Sequence, residues 1–282
     1  MLIQEKIKML KEYTKEEVWY IVKQEMEFWK VCYAVSILEE FQNSKHANEN
    51  LEKFFKRRSN EIQDKKMFDS FITTHRMLLN GYVYGLINKK GRTYDQAELT
   101  EVYKKIKLLC NGDFEKIDSY YFLIEQQIEK IYFSSILDEK YRDIRLKYRL
   151  YPLFLLYRVL IEIGKKTGRY EITREEFIVF LCTTEKYEDY KDTVRYILES
   201  RNSDTISDEV KLIAQKLRLD IRYNIVLKNI NTISQTMNGF KISNRCITLV
   251  EEKLINFEKN KDMYKDISYI KFLCSNKSLT KY

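Results

Sequence analysis

Two stretches of the chain carry the residue types that bind nucleic acid. Lysine and arginine contact phosphate oxygens, whereas threonine, asparagine, glutamine and arginine can pair with base edges in the major groove. The first stretch offers Thr73, Thr74, His75, Arg76, Lys89, Lys90 and Arg92. The second offers Arg222, Lys228, Asn229, Asn231, Gln235, Lys241 and Arg245. We predict that both stretches contact double-stranded DNA.

Two further basic clusters are candidates for phosphate contacts. Residues 45–66 contain seven Lys or Arg against four Asp or Glu. The candidates in that segment are Lys56, Arg57 and Arg58. The other cluster consists of Lys165, Lys166, Arg169 and Arg174. A charge run is also typical of a solvated helix face, and for each of these residues that alternative stays open.

The pattern around the first stretch predicts a helix followed by a β-hairpin with a basic tip. Apolar residues between Phe68 and Tyr82 recur at helical spacing. We then expect a strand at 85–87, a turn at 88–91 and a return strand at 92–94. A helix followed by such a hairpin is the arrangement of a winged helix, with residues 73–76 early on the helix that meets base edges.

The second stretch predicts the same arrangement. Val226, Ile230, Ile233 and Met237 lie on one stripe of a helix predicted over 221–237. Alternating apolar residues then predict strands at 240–242 and 247–249, joined by a turn at Asn244-Arg245. The helix and the hairpin would again present basic and amide side chains together.

Other segments predict helices with short connections. Predicted helices cover residues 1–43, 97–110, 114–137 and 203–217, and Asn111-Gly112 is expected to end the second of these. The single proline and seven glycines favour a mainly α fold. A basic linker at 140–149 predicts a boundary between two lobes, 1–140 and 141–282.

Composition limits the class of partner and of site. A net charge of +8 and a pI near 8.9 favour an anionic partner, although a lysine-rich proteome would give the same balance. Five cysteines without C-x-x-C spacing and only two histidines argue against a disulfide framework and a zinc site, and they fit a reducing cytoplasm. No run approaches the length of a membrane span.

The run from Arg149 to Arg201 predicts three helices in a fixed arrangement. Pro152 stands where a helix begins, because its missing N–H is not needed there. Gly164 and Gly168 bracket a predicted basic turn. Thr173 and Glu176 form a capping box before an apolar helix at 177–181. A third helix is predicted at 186–200.

This run resembles the recognition lobe of type IIS restriction endonucleases and their nicking relatives. The matching positions are Pro152-Leu153, Gly164, Ile172-Thr173, Phe177, Phe180-Leu181, Ile197 and Arg201. The resemblance covers about a fifth of the chain well. It implies a mainly α protein of two winged-helix-like lobes that binds one short duplex sequence. Cleavage would come from a nuclease domain or catalytic subunit outside this chain, with Mg²⁺ as that nuclease's cofactor.

The same resemblance implies where a catalytic site would be sought. Such nucleases hold Mg²⁺ with an acidic-x-Lys pair at the end of a strand, where the metal activates water. Glu251-x-Lys253 follows an apolar segment that could be a strand, and Asp138-x-Lys140 is a weaker match. We interpret Glu251 and Lys253 as the start of a helix and predict no catalytic or metal site here. A complete Mg²⁺-dependent endonuclease and a helical protein-interaction module remain the alternatives.

Overall fold

The computed structural model describes residues 1–14, 17–18, 27–44, 49–61, 74–89, 93–131, 148–217 and 230–260. These residues are mainly helical, with one two-stranded and one three-stranded antiparallel sheet. They form two compact units. Described residues between 22 and 130 make up the helical unit, and those between 1 and 21 and between 131 and 265 make up the sheet unit. None of the described helices is long and apolar enough to cross a lipid bilayer.

Helix α1 (Ile3–Glu12) belongs to the sheet unit, and the chain then enters the helical unit. That unit contains α2 (Phe28–Asn43), α3 (Leu51–Glu61), α4 (Thr74–Val83), β1 (Ile87–Asn88), β2 (Glu98–Leu99), α5 (Glu101–Cys110), a 3-10 helix (Phe114–Tyr120) and α6 (Tyr121–Glu129). Helix α2 lies at its centre and buries Val31, Val35 and Leu38. The rings of Phe28 and Tyr84 meet edge to face at 5.1 Å.

Three predictions in this part of the chain need correction or confirmation. The single helix predicted over 1–43 is wrong, because α1 ends where Tyr13 adopts an extended backbone and α2 begins only at Phe28. The helix predicted over 114–137 begins as a 3-10 helix and ends at Glu129, and residues 132–137 lie outside the described ones. The predicted end of α5 is confirmed, since Asn111 (φ 50°) and Gly112 (φ 76°) both adopt left-handed backbone.

The first hairpin pairs different residues from those predicted. Strand β1 pairs with β2, so the return strand is Glu98–Leu99, and Thr93 and Tyr94 lie outside any strand. The reason is Thr100, whose hydroxyl donates to the carbonyls of Gly85 (2.8 Å) and Leu86 (3.0 Å) and so holds β2 beside β1. The same hydroxyl caps α5 by accepting from the Tyr103 amide.

The rest of the sheet unit runs from Tyr148 onward. It contains α7 (Pro152–Thr167), β3 (Glu171–Thr173), α8 (Arg174–Glu176) continuing as a π-helix (Phe177–Leu181), a 3-10 helix (Tyr187–Asp189), α9 (Tyr190–Arg201), α10 (Asp204–Leu217), β4 (Ile233–Thr236), β5 (Gly239–Ile242), a 3-10 helix (Asn244–Cys246) and α11 (Ile247–Lys259). Helix α7 is almost wholly buried and contacts α9, α11 and β3.

The three-stranded sheet has the order β3-β5-β4, with antiparallel neighbours. Ile172 of β3 stands opposite Phe240 of β5, and Ile233 of β4 stands opposite Ile242. These four side chains are buried, and Phe240 meets the Phe177 ring of the π-helix at 4.6 Å. Because facing residues on paired strands project to the same side of the sheet, the face that carries these four side chains packs against the core. The opposite face of the sheet is exposed to solvent.

The second predicted hairpin is displaced by one strand. Residues 233–236 form β4 rather than the end of a helix, and the turn is at Met237-Asn238 rather than at Asn244-Arg245. Ile247–Leu249 lies in α11. Ile233 fits a helical stripe, but it stands opposite Ile242 in the sheet, so non-local pairing decides its conformation. The earlier part of the predicted helix, 221–229, lies outside the described residues.

Predictions made within one or two helical turns are confirmed in this unit. Pro152 occupies the first turn of α7, and the capping box of Thr173 and Glu176 forms both of its hydrogen bonds. Helix α10 matches the predicted 203–217. The basic turn predicted between Gly164 and Gly168 is wrong, because residues 165–167 form the last turn of α7. The chain reverses only at Gly168 (φ 74°).

Candidate nucleic-acid interface

An ion pair between α8 and α9 fixes the framework that positions the sheet. Arg201 Nε and Nη2 donate to the two carboxylate oxygens of Glu176 at 2.7 and 2.8 Å, and Nη2 also donates to the Glu171 carbonyl at 3.0 Å. The Glu176 side chain is only 6% exposed. Its hydrogen bond raises the pKa of Arg201. One carboxylate therefore caps α8 and holds the end of α9 against β3, a contact that sequence reasoning missed.

The π-helix ends in threonines that bond back into the core. Thr183 Oγ1 donates to the Val179 carbonyl (2.7 Å), and Thr184 Oγ1 lies 2.6 Å from Thr193 Oγ1 on α9. Buried hydroxyls satisfied in this way keep the connection between the two helices fixed. The π-helix, whose Phe177 ring packs on Phe240 of the sheet, is therefore hydrogen-bonded to α9 as well.

The end of α7 presents exposed cations. Lys165 pairs with Glu251 of α11 at 2.9 Å. Lys166 and Arg169 are exposed, and within the described residues no ion pair joins them to a carboxylate. The Tyr170 ring packs so tightly on Gly164 that a Cβ there would lie 2.1 Å from it. Only glycine allows this packing, which directs the chain from Arg169 into β3.

Lys241 and Arg245 lie at the same end of the sheet as Arg169. The Cα of Lys241 pairs with that of Glu171, and the Ile242 amide donates to the Tyr170 carbonyl at 3.0 Å. Both side chains are exposed, and in the part of the chain that the structure describes neither is in an ion pair. We call Lys166, Arg169, Lys241 and Arg245 the basic edge. The structure thus brings together four predicted residues from two separate segments of the chain.

The opposite end of the sheet is the tip of the β4–β5 hairpin, residues 236–239. Gly239 approaches β3 so closely that a Cβ would lie 2.0 Å from the Ile172 carbonyl oxygen. The Asn238 carbonyl accepts a hydrogen bond from the Arg174 amide at 2.9 Å. Met237 at the tip is 100% exposed. It was not among the predicted residues, because the sequence had placed it inside a helix.

The remaining described candidates of the sheet unit are two residues of the second stretch and Arg174 of the other basic cluster. Gln235 is exposed on β4, Asn231 is exposed just before it, and Arg174 is partly buried at the start of α8. The backbone carbonyl of Asn231 accepts hydrogen bonds from the Ser243 hydroxyl and the Cys246 thiol, so the Asn231 backbone is part of the framework. Arg222, Lys228 and Asn229 lie outside the described residues and stay predictions.

In the helical unit, the candidates Lys56, Arg57 and Arg58 all lie on α3. Arg57 binds Glu49 (2.9 Å) and Glu61 (3.1 Å), and Arg58 binds Glu40 and Glu61 at 2.6 Å each. Hydrogen bonds to Glu40 and Glu61 raise the pKa of Arg58, and those from Arg58 and Arg57 lower the pKa of Glu61. Neighbouring carboxylates therefore balance the positive charge of Arg57 and Arg58, whereas the cations of the basic edge have no ion-pair partner among the described residues.

The first predicted base-contacting group is described only in part. Thr74, His75 and Arg76 lie in the first turn of α4, and only their backbone is described. Lys89 Nζ lies 4.9 Å from the centre of the Tyr94 ring. Burial, with a smaller effect from Tyr82, raises the pKa of Tyr94 to about 12. Thr73, Lys90 and Arg92 lie outside the described residues.

The residues considered for metal-dependent cleavage lie on a helix. Glu251 and Lys253 belong to α11, so the strand that the acidic-x-Lys pattern needs is absent at that position. Glu251 forms an ion pair with Lys165 of α7. Among the described residues no group of three His, Cys, Asp or Glu side chains is placed to hold a metal ion. Residues 138–140 lie outside the described chain. The described donors do not fit a Mg²⁺ site.

Comparisons with known proteins give one informative result. No family model matches the chain, and no curated protein matches it significantly. Among solved structures, it is similar to the BpuJ1 endonuclease binding domain, crystallised with pyrene- and phenanthrene-modified DNA. The TM-score is 0.52 at 11% identity, over 92% of this chain and 100% of that one. The likeness is one of fold and extends over essentially the whole of a DNA-complexed binding domain.

Proposed function

We propose that this chain recognises a short sequence in double-stranded DNA, as the recognition domain or subunit of a restriction endonuclease. The basic edge is the observation that carries the proposal. Its four cations are exposed, lie at one end of one sheet and have no ion-pair partner among the described residues. Cations that are not held in ion pairs can exchange their counterions for phosphate contacts, which supply affinity without sequence preference.

The order of elements supports a winged-helix interpretation of the sheet unit. A helix, a strand, further helices and a two-stranded hairpin follow one another, and the hairpin's second strand lies in the middle of the sheet. The base edges of the DNA would then be contacted from the segment just before β4, which contains the predicted candidates Arg222, Lys228 and Asn229. Gln235 on β4 would contact base edges together with them. The fold similarity to a DNA-complexed domain supports the same function.

Cleavage would come from a nuclease domain or subunit outside this chain, with Mg²⁺ as its cofactor. The helical position of Glu251 and its pairing with Lys165 support this division of labour. Plasmid DNA incubated with the protein and Mg²⁺ should remain intact. Cleavage that disappears in Glu251→Ala would contradict the proposal and favour a complete nuclease.

The decisive experiment begins with selection from random duplexes, followed by affinity measurements at several salt concentrations. We expect one enriched sequence and a steep fall of affinity with salt. The double variant Lys166→Gln/Arg169→Gln should lower the slope of log K against log[salt] by about 1.8, since each lost phosphate contact removes about 0.9. The control Lys191→Gln/Lys211→Gln removes the same charge from α9 and α10 and should leave the slope nearly unchanged.

Three outcomes would contradict the proposal. Selection that enriches no sequence would leave only non-specific attraction to a basic protein. Equal effects of the two double variants would mean that net charge, not the basic edge, determines binding. Weak affinity without salt dependence would instead favour a helical protein-interaction module.

A further inference from the structure

The hairpin tip combines a fixed backbone with a fully exposed apolar side chain. Met237 is 100% exposed, and its neighbours Thr236 and Asn238 are uncharged and also exposed. Single exposed apolar residues are common and need no function by themselves. What distinguishes this one is how firmly the structure holds its backbone.

Three contacts hold the tip. Thr236 Oγ1 donates to the Gly239 carbonyl at 3.2 Å, which closes the turn. The Arg174 amide donates to the Asn238 carbonyl at 2.9 Å, which ties the turn to the start of α8. Gly239 lies against β3 with no space for a side chain. The backbone at Met237 is therefore constrained, and little ordering entropy remains to oppose a contact made there.

The tip and the basic edge lie at opposite ends of one short sheet. Gly239 pairs with Thr173 and Thr236 in the row next to the tip, and Lys241 pairs with Glu171 two residues further along. Two residues span about 7 Å of strand. The minor groove of B-DNA is about 7.5 Å deep, and phosphates line its rim. A hairpin tip on the groove floor would therefore bring Lys241 close to the height of the phosphates.

Resting on the proposed function, we infer that the hairpin tip enters the DNA minor groove and that Met237 is its apolar wedge. The thioether packs against sugars and base edges at one base step while the basic edge contacts the adjoining phosphates. Minor-groove proteins insert apolar side chains in this way, and the unbranched, polarisable methionine side chain adapts to the irregular surface of a step. Because Thr236 and Asn238 are uncharged, the basic edge makes the phosphate contacts.

Oxidation footprinting tests this contact directly. Peroxide converts an accessible methionine to its sulfoxide, and Met1, which is 63% exposed, provides an internal control. With the selected duplex bound, Met237 should be protected about tenfold, the shielding expected when burial removes its access to solvent, whereas Met1 keeps its rate. Equal oxidation of Met237 in the free and bound protein, with binding verified by gel shift, would overturn the wedge and leave DNA recognition intact.

Substitutions at the tip give an independent measurement. Met237→Leu keeps the apolar volume and should hold affinity within about twofold, while Met237→Ala should weaken it about tenfold. The salt slope should not change for either, because an apolar contact releases no counterions. An unaltered affinity in Met237→Ala would overturn the inference. Failure of the unmodified protein to bind any duplex would overturn both this inference and the proposed function.

Discussion

The contact between Gly239 and β3 makes a strong prediction about the sheet unit. In Gly239→Ala the new Cβ would lie 2.0 Å from the Ile172 carbonyl oxygen and 2.8 Å from the Thr173 Cα. Both obstructing atoms are backbone, so no rotamer change can relieve the clash. Strand β5 must move away from β3 by about 1.4 Å to reach an ordinary contact of 3.4 Å.

The free energy of unfolding should fall by about 3–5 kcal/mol. Overpacking alone costs roughly 1–3 kcal/mol, and each hydrogen bond lost between β5 and its neighbours adds about 1 kcal/mol. The hydrogen bonds at risk include Arg174 N to Asn238 O and Ile242 N to Tyr170 O. The buried contact of Phe240 with Phe177 would loosen as well.

Gly168→Ala is the matched control. Gly168 has a left-handed backbone (φ 74°), and no atom lies within 4 Å of the position that a Cβ would occupy, so alanine there meets only the conformational penalty of about 1–2 kcal/mol. Hydrogen exchange read by mass spectrometry would resolve peptides covering β3, β4 and β5, alongside thermal denaturation. If Gly239→Ala lost no more protection in these peptides than Gly168→Ala, the close approach would not stabilise the sheet and the reasoning would be refuted.

Three further predictions concern charged and titrating groups. Arg201→Met should lower the free energy of unfolding by about 3 kcal/mol, because it leaves the buried Glu176 carboxylate unpaired. The control Lys211→Met breaks an exposed ion pair and should change the free energy of unfolding by less than about 0.5 kcal/mol. Equal losses for the two variants in urea denaturation would contradict this prediction. The pKa of Tyr94 is raised to about 12 from 10.0, so this side chain contributes stability that is complete below pH 10 and is lost as the pH rises through 12. Tyr94→Phe should therefore reduce the loss of stability at alkaline pH. If the variant had the same stability profile as the unmodified protein between about pH 9 and 12, this prediction would be wrong. Glu251→Gln releases Lys165 and should tighten DNA binding about twofold to threefold at low salt, with the gain disappearing at high salt; weaker binding would show that the pair itself positions the interface.

Features set within a turn of helix were predictable from the sequence. The capping box at Thr173 and Glu176, the proline at the start of α7 and the left-handed end of α5 each depend on residues a few positions apart. Their hydrogen bonds close over such short distances that the rest of the fold hardly affects them. The mainly helical class and the excess of positive charge were likewise determined by composition alone.

Strand pairing and the grouping of charges were decided only by the tertiary structure. Ile233 fits the apolar stripe of a predicted helix, yet residues 233–236 form a strand because β5 lies between them and β3, which is about sixty residues earlier in the chain. The same packing places Met237, which was predicted on the apolar stripe of a helix, at an exposed hairpin tip. It also pairs Arg57, Arg58 and Lys165 with carboxylates while leaving the basic edge unpaired among the described residues. A sequence lists its charges, but only the fold brings distant segments within ion-pairing distance and so determines which cations remain available to DNA.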